Sequence, residues 1–389
     1  MTPYDFSELT DRRRTNSLKW NVAERELPMW VADMDFRTAP EITEAIRRKT
    51  ETGIFGYTVV PDDYAQVIAE WWGRRHGFEM QQDWIVFCTG VVPAISCIVR
   101  KMTTVGENVL ILPPVYNIFY NSIVNNGRNV LCSDLRYDGT SYGIDFKDLE
   151  HKLAAPQTTL MILCNPHNPI GKIWDAGTLA RIGELCAEHH VLVVSDEIHC
   201  DLTAPGRSYT PFASVSDTCA DNSITCVAPT KAFNLAGLQT ASVVIPNEQI
   251  RAKVRRGLNT DEVAEPNAFA IEATIAAFTA GEPWLDALRA YIQQNKERAA
   301  DFIHTELPGL KVVPSNATYL MWIDCGAITS DTTDLCRFLR EMTGLHLSDG
   351  AVFGGHGRSF LRMNVACPRS RLEDGLSRLK TGIDAYRTS

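Results

Sequence analysis

Three side chains that could take part in chemistry lie where three apolar runs of the chain end. Lys231 and Asn168 each follow such a run by a few residues, and Asp196 comes directly after residues 191–195. Runs rich in valine, isoleucine and leucine are typical of buried parallel strands. Because ligands of open α/β sheets bind at the carboxyl ends of the strands, we expect these side chains at one ligand-binding edge.

Lys231 has two explanations. A lysine in a turn is usually solvated, which would make it an ordinary surface residue. Alternatively it is a Schiff-base lysine, whose amine loses its proton when it is desolvated or placed near other cations. Its neighbours favour the second explanation, because pyridoxal phosphate requires an amine, a carboxylate for the pyridinium nitrogen and a donor for the ring hydroxyl. We therefore predict roles for Lys231, Asp196 and Asn168 around this cofactor.

A glycine turn follows another predicted strand, residues 84–88. Gly90, Val91 and Val92 then open a predicted helix. A helix N-terminus binds anions, since its free N–H groups and its dipole both face the ligand. We assign these residues to the cofactor phosphate.

Arg362 lies between apolar neighbours in a further predicted strand, residues 360–365. A buried arginine is uncommon, and a structural ion pair with a distant acid is one explanation. The other is a clamp on a substrate carboxylate, which the planar guanidinium matches with two parallel hydrogen bonds. We favour the clamp.

Several segments together resemble a known family. They are residues 165–171 (Asn-Pro-His-Asn-Pro-Ile-Gly), 195–199 (Ser-Asp-Glu-Ile-His) and 228–234 (Ala-Pro-Thr-Lys-Ala-Phe-Asn). The chain resembles fold-type I pyridoxal-phosphate enzymes, and within them the cystathionine β-lyase (C–S lyase) branch of the class I/II aminotransferase superfamily. The resemblance extends over nearly the whole chain, from about residue 16 to residue 380. It implies an α/β fold with a mostly parallel sheet, helices on both faces and a smaller α+β domain.

The resemblance implies roles for further residues. Tyr116 matches the catalytic-site ring that stacks on the pyridine, and Ala32 lies in a segment that passes near the substrate carboxylate. Asn168 lies near both cofactor and substrate. His199 supports Asp196 or the ring hydroxyl, although a histidine in such a run is as often a core residue.

Further phosphate contacts follow from the same resemblance. Thr230 and Tyr57 match phosphate ligands, and Tyr57 is implied to come from the partner subunit of a homodimer with shared active sites. Two positions depart from the pattern of many relatives. Gln239 stands where they carry a basic residue, and Ala228 stands where some carry serine. Phosphate binding must then depend on backbone amides, Thr230 and Tyr57.

The implied activity is β-elimination from S-substituted L-cysteines, such as L-cystathionine or cysteine-type substrates, which yields a thiol, pyruvate and ammonia. An aminotransferase with the same cofactor site is the alternative, because both reactions share every step through loss of the Cα proton. A ligand-binding regulator ranks below both, since no basic helix-turn-helix extension is visible. The preferred S-substituent does not follow from the sequence.

Composition narrows the possible partners and location. The 389 residues carry a net charge of −9, which argues against a nucleic-acid partner. Eleven cysteines without a C-x-x-C pair suit buried free thiols in a reducing compartment rather than zinc. We expect no metal at Asp33 and Asp35, which lack a third ligand. With no apolar run near the roughly 20 residues of a membrane span, we predict a cytoplasmic protein that acts on a small amino acid.

The order of predicted elements indicates three parts. Residues 51–283 alternate strands and helices, as in a parallel sheet with helical crossovers, and form the predicted large cofactor domain. Residues 284–389 begin with a long helix and continue with antiparallel strands, as expected for a small α+β domain. Residues 1–50 are expected to pack with the small domain. The basic cluster at Arg12, Arg13 and Arg14 is interpreted as a solvated or subunit-contact segment.

Overall fold

A computed structural model of the chain describes residues 4–388. Its α-helices are α1 (Pro40–Glu51), α2 (Asp62–His76), α3 (Val91–Met102), α4 (Ile118–Val124), α5 (Phe146–Leu153), α6 (Ala176–Glu188), α7 (Asp217–Asp221), α8 (Glu248–Thr260), α9 (Ala270–Ala280), α10 (Glu282–Glu306), α11 (Thr332–Thr343) and α12 (Arg369–Tyr386). No helix within this part of the chain combines the length and apolar content that crossing a bilayer requires.

The strands form one large sheet, one smaller sheet and two short pairs. They are β1 (Leu27–Pro28), β2 (Ile85–Cys88), β3 (Asn108–Ile111), β4 (Asn129–Cys132), β5 (Arg136–Tyr137), β6 (Tyr142–Gly143), β7 (Thr158–Cys164), β8 (Leu192–Asp196), β9 (Ser223–Val227), β10 (Ala241–Val244), β11 (Lys311–Val312), β12 (Leu320–Asp324), β13 (Leu345–His346), β14 (Ser348–Asp349) and β15 (Phe360–Asn364).

The large sheet has seven strands in the order β2-β10-β9-β8-β7-β3-β4. β10 runs antiparallel to β2 and β9, and the other six strands run the same way. The predicted, largely parallel sheet is therefore confirmed. β7, β8 and β9 lie side by side at its centre, which is why every residue of β8 is buried.

Helices cover both faces of this sheet, as predicted. Side chains alternate along each strand, so Val109 and Ile111 of β3 pack with α3 and α8, whereas Leu110 packs with α6. α2 and α9 cover the β2 end on the α6 side. Apolar clusters on both faces therefore pack against the sheet beneath its carboxyl edge.

The C-terminal region is built on a four-stranded sheet in the order β11-β12-β15-β14. All its neighbouring strands are antiparallel, which confirms the antiparallel pattern expected there. α10 leads into it, and α11 and α12 pack together beside it. The smaller α+β unit expected from the sequence is thus present, while the boundaries at residues 50 and 283 stay a prediction.

The N-terminal segment contacts both regions. β1 pairs with β13, and Trp20 and Met29 lie in the core of the C-terminal region. α1 instead packs against α9 of the large region. The segment therefore has contacts with both regions, and its assignment to the small domain stays a prediction.

The sequence predicts helices over residues 174–188 and 266–281, and both begin later in the structure because of local capping. Asp175 is the N-cap of α6, and its side chain accepts the Thr178 amide at 2.8 Å. The second helix, α9, begins at Ala270. The side chain of Asn267 accepts the Phe269 amide there at 3.0 Å and forms a turn.

Candidate active site

The carboxyl ends of the three central strands surround a cavity of about 260 Å³, the inner cavity. Asp196 ends β8 and pairs in register with Cys164 and Cys226 of the neighbouring strands. The loops after β7 and β9 add Asn168 and Lys231. The inner cavity is lined by the following residues singled out from the sequence: Ala32, Gly90, Val91, Val92, Tyr116, Asn168, Asp196, His199, Thr230 and Lys231.

Lys231 places its amine at the wall of this cavity. Nζ donates to the carbonyl of Ala32 at 2.6 Å. Burial, reinforced by the Arg362 cation, lowers the pKa of the amine to about 8, against the opposing pull of Asp33 and Asp196. An unprotonated, nucleophilic amine is therefore accessible near neutral pH.

The loop that carries Lys231 is held by Asn234. This residue adopts a left-handed conformation with φ 57°, which asparagine tolerates better than most residues. Its side chain accepts the Met34 amide at 3.0 Å and donates to the carbonyls of Met34 and Phe36 at 3.1 and 2.9 Å. Asn234 ends the motif quoted above, but its partners lie 200 residues earlier and do not follow from that motif.

Asp196 is buried, with 4% of its surface exposed. One oxygen, Oδ1, accepts the Ile198 amide at 3.1 Å. Burial raises the pKa of the carboxyl to about 6, opposed by that amide and by the Lys231 charge. A cation placed against this carboxylate would lower its pKa again, so the site is suited to a positively charged partner.

His199 lies in the same buried wall. Burial, with the nearby Lys231 and Arg362 cations, lowers its pKa to about 3, so its ring is neutral at physiological pH. Its Nδ1 is buried and has no hydrogen-bond partner within residues 4–388. Such an atom usually has a partner, and here one can come from a ligand in the inner cavity.

The start of α3 forms another side of the inner cavity. Gly90 precedes the helix, no side chain caps it, and Val91 and Val92 supply its first amides. Thr230 and Gln239 also line the cavity. This combination of free amides and a hydroxyl is suited to an anion.

A second and larger cavity of about 840 Å³, the outer cavity, opens beside the first. Ala32, Tyr116 and Lys231 line both. Burial raises the pKa of Tyr116, which keeps its phenol neutral, and Phe119 packs edge-on against it at 5.7 Å. The aromatic ring therefore stands at the boundary between the two cavities.

Arg362 lines the outer cavity. Nη1 donates to Asn168 Oδ1 at 3.1 Å, and Nη2 donates to the carbonyl of Trp30 at 2.9 Å and to Ser348 Oγ at 3.3 Å. The guanidinium also lies 4.7 Å above the Phe353 ring. No acid within residues 4–388 forms a salt bridge with it, so the structural ion pair considered above does not form there. Although burial lowers its pKa to about 10, Arg362 remains a cation.

Tyr319 and Asn364 are site residues that sequence reasoning missed. The Tyr319 hydroxyl donates to the same Ala32 carbonyl as Lys231, at 2.9 Å. The Asn364 amide group donates to the carbonyls of Val31 and Asp33, both at 2.6 Å. Asn364 lies two residues after Arg362 and faces the same side of β15, which is the signal that could have suggested it. Trp30 and Ser348, the partners of Arg362, were missed as well.

Tyr57 does not reach either cavity. Its side chain is 101% exposed and lies in an apolar surface strip with Ile54, Phe55 and Val59. Within one subunit it is therefore separate from the other predicted site residues.

Of the two alternatives for the basic cluster, the solvated one is wrong for Arg12, and a subunit contact stays a prediction. Its guanidinium is part-buried and donates to Asp33 at 2.9 Å and to Asp35 at 3.0 Å. Asp35 also forms salt bridges with Lys19 and Arg371, both at 3.2 Å. The sequence did not indicate that the chain folds back so that Arg12 contacts Asp33 and Asp35.

His76, Cys200 and Asp201 form a group with metal-ligand chemistry within the described residues. However, Asp201 already accepts hydrogen bonds from the Trp71 indole at 3.1 Å and from His76 at 2.9 Å. These contacts give the group a structural role beneath α2.

Comparison with known proteins places this geometry in a family. The model of the family "Aminotransferase class I and II" matches residues 28–379. Cystathionine beta-lyase PatB of Bacillus subtilis is 43% identical over 385 residues, which cover 97% of this chain and 100% of PatB.

Two solved structures are also similar. Cystalysin from Treponema denticola, which contains pyridoxal 5'-phosphate, has a TM-score of 0.95 and 31% identity, and covers 98% of this chain and 99% of its own. The PLP-bound C–S lyase from Staphylococcus hominis has a TM-score of 0.91 and 32% identity, with 98% of each chain covered. The chain belongs to the class I and II aminotransferase family and has the fold-type I architecture.

Proposed function

We propose that this protein is a pyridoxal-phosphate-dependent C–S lyase that acts on S-substituted L-cysteines, such as L-cystathionine. The products are a thiol, pyruvate and ammonia. One observation carries the proposal: the Lys231 amine and the buried Asp196 carboxylate line one cavity, next to an arginine with no acidic partner among residues 4–388. The likeness to PatB, cystalysin and the staphylococcal C–S lyase supports it.

The chemistry of the inner cavity fits pyridoxal phosphate. Lys231 would hold its aldehyde carbon, and Asp196 its pyridinium nitrogen, whose charge offsets the cost of burying that carboxylate. Asn168 would contact the ring hydroxyl, and the unpartnered Nδ1 of His199 would supply a further polar contact. The α3 amides with Thr230 would bind the phosphate, and Tyr116 would stack on the ring.

When bound, the cofactor withdraws electrons from the substrate Cα and so acidifies its proton. Once the substrate amine has replaced Lys231 on the aldehyde carbon, Lys231 would be the base that removes this proton, because its lowered pKa of about 8 leaves part of the amine unprotonated near neutral pH. The electrons of the Cα–H bond form a bond between Cα and Cβ while the Cβ–S pair leaves with sulfur. Lys231 then returns the proton to the thiolate, and water converts the remaining three-carbon unit to pyruvate and ammonia.

Arg362 would bind the substrate α-carboxylate. Its two Nη atoms are oriented by Asn168 and by the Trp30 carbonyl, so the guanidinium is positioned before substrate arrives. Ala32 lies beside it on the wall shared by both cavities. Holding the carboxylate here fixes the Cα–H bond relative to Lys231, and this orientation contributes to the rate.

We further propose a homodimer in which Tyr57 of one subunit binds the phosphate in the other. The exposed strip of Ile54, Phe55, Tyr57 and Val59 supports this, because contiguous exposed apolar surface marks an interface. A phosphate ligand from the other subunit matters more in this protein because Gln239 and Ala228 replace phosphate ligands found in relatives. A cytoplasmic location is also proposed, and the eleven free cysteines are consistent with a reducing compartment.

A keto-acid-free assay tests the function. Purified protein loaded with pyridoxal phosphate is incubated with L-cystathionine, and pyruvate is followed by coupling to lactate dehydrogenase. A lyase releases pyruvate over many turnovers. The family also contains aminotransferases. An aminotransferase would release no pyruvate, and would instead convert one equivalent of L-cystathionine per site to the corresponding keto acid and stop until another keto acid is added. That second pattern would overturn the lyase proposal and favour the aminotransferase.

A further inference from the structure

The outer cavity is larger than the amino acid group at its base requires. Its volume of about 840 Å³ lies in the range of pockets that enclose drug-sized ligands. Lys231, Tyr116 and Arg362 line one part of it, and residues of α11 line another. A substrate with its α-carboxylate on Arg362 would leave the part beside α11 for the group attached to sulfur.

One face of α11 contributes to this cavity. Thr333, Cys336, Arg337 and Arg340 follow helical spacing and all line it. Arg337 is bonded to Asp334 and is 70% exposed, so its charge is largely in solvent. Arg340 is the more enclosed of the two arginines, with a side chain 43% exposed.

Arg340 is held in place by Glu26. Its Nε and Nη2 donate to the two carboxylate oxygens of Glu26 at 2.8 and 3.0 Å. Oε2 of Glu26 also accepts the Ala23 amide at 3.2 Å. This arrangement lowers the pKa of Glu26 and fixes the guanidinium plane. Nη1 of Arg340 makes no hydrogen bond with residues 4–388, and it is available to a ligand.

A neutral aromatic wall connects Arg362 to Arg340. The Trp30 carbonyl accepts from Arg362, and the Trp30 ring stacks on His346 at 4.9 Å with an interplanar angle of 13°. Burial and the nearby Arg340 charge lower the pKa of His346 to about 4, so the ring is uncharged at neutral pH. Such a surface suits methylene groups and a thioether sulfur.

The acids around the outer cavity leave Nη1 of Arg340 without a partner, although Glu26 offsets the charge of the guanidinium. Glu26 is occupied by Arg340, and Asp349 accepts the hydroxyls of Thr332 and Thr333 at 3.0 and 2.8 Å. Glu341 is exposed at the rim. The part of the cavity beside α11 therefore offers a ligand the Nη1 donors of an arginine that Glu26 holds in place.

We propose that Arg340 forms a second carboxylate-binding site, which selects substrates whose S-substituent ends in a carboxylate, as in L-cystathionine. Glu26 acts as its positioning residue, and the Trp30–His346 wall contacts the intervening chain. This inference rests on the proposed lyase function and specifies its substrate class.

A pair of matched substrates tests the proposal. S-(3-carboxypropyl)-L-cysteine and S-butyl-L-cysteine have sulfur chains of similar length, and the first adds the terminal carboxylate. We expect Arg340→Gln to lower kcat/KM for the carboxylated substrate about tenfold, mainly through KM, because one charged hydrogen bond is lost. The value for S-butyl-L-cysteine should change less than about twofold. Arg340→Lys keeps the positive charge but lacks the planar guanidinium group. Its kcat/KM for the carboxylated substrate should therefore lie between those of Arg340→Gln and the wild type.

Arg298→Gln is the control variant. Arg298 also forms a two-fold salt bridge, with Glu373 at 2.8 Å, but it does not line the outer cavity. Arg298→Gln should leave kcat/KM unchanged for both substrates. Equal losses for both substrates with Arg340→Gln, or no loss for either, would overturn the carboxylate site. If wild-type protein releases pyruvate from neither substrate, the lyase function itself fails, and the inference fails with it.

Discussion

Two lysines of this protein both have a lowered pKa but differ in what their amines contact. Burial lowers the pKa of Lys231 to about 8 and that of Lys296, on α10, to about 7. Lys296 is 8% exposed, and its Nζ donates to Ser315 Oγ at 2.8 Å. It also faces the carbonyls of Ser315, Ala317 and Thr318 at 3.2 to 3.4 Å. Lys231 has one protein acceptor, the Ala32 carbonyl, and an open cavity beside it.

The comparison shows that a lowered pKa does not identify a catalytic amine by itself. Lys296 has four oxygen acceptors from one short loop, so its donors are used to hold that loop to α10. Lys231 leaves its lone pair accessible to a molecule in the inner cavity. We therefore interpret Lys296 as a structural residue and Lys231 as a reactive one, and three experiments test this distinction.

The largest effect is expected from Lys231→Ala. Loss of both the covalent attachment and the base should reduce pyruvate formation more than about 10³-fold and remove the visible absorbance of the attached cofactor. Thermal unfolding of the cofactor-free protein should change little, because the amine has one protein acceptor. Turnover that persists in this variant would show that Lys231 is not the base.

Lys296→Met should lower stability and leave activity unchanged, the opposite of Lys231→Ala. The substitution keeps the chain length but removes all donors, leaving buried carbonyls without partners, at a cost of about 2–3 kcal/mol in unfolding free energy. The folded fraction should retain a normal kcat. Urea unfolding measures the loss, and the exposed pair at Lys380 offers a control, since Lys380→Met should cost less than about 0.5 kcal/mol. A loss of kcat with stability unchanged would contradict the structural role.

A smaller effect distinguishes the two amines directly. In cofactor-free protein, brief acetylation should label Lys231 with a rate that follows its neutral fraction, rising about fivefold from pH 7 to pH 8 and levelling above the pKa near 8. Lys296 should be labelled slowly throughout this range despite its low pKa, because its amine is enclosed. Peptide mass spectrometry reports both sites in one sample. Labelling of Lys296 as fast as Lys231 would remove the distinction.

Much of the inner cavity was predictable from the sequence because parallel strands constrain it. Apolar runs identified β7, β8 and β9, and the carboxyl ends of parallel neighbours must lie at one edge. Asp196, Asn168 and Lys231 consequently meet there. The glycine turn before α3 was predictable for the same reason, since it follows β2 in the same sheet.

Contacts between distant segments were not predictable. Ser348 and Trp30 hold Arg362, and Tyr319 shares a carbonyl with Lys231, yet none of these residue types stands out in its local sequence. Lys296 follows two glutamines and an asparagine, a composition typical of a solvated helix face, and burial depends on the loop that packs over it. Arg12 was misjudged for the same reason, because its acidic partners become neighbours only after folding.

Two asparagine side chains form hydrogen bonds with the main chain of residues 30–36. Asn234, three residues after Lys231, donates to the carbonyl of Phe36. Asn364, two residues after Arg362, donates to the carbonyl of Val31. The Ala32 carbonyl, which accepts a hydrogen bond from Lys231 Nζ, lies between these two contacts. The loop of Lys231 and the strand of Arg362 are therefore both tied to one short stretch of backbone, which sets the separation between the amine and the guanidinium.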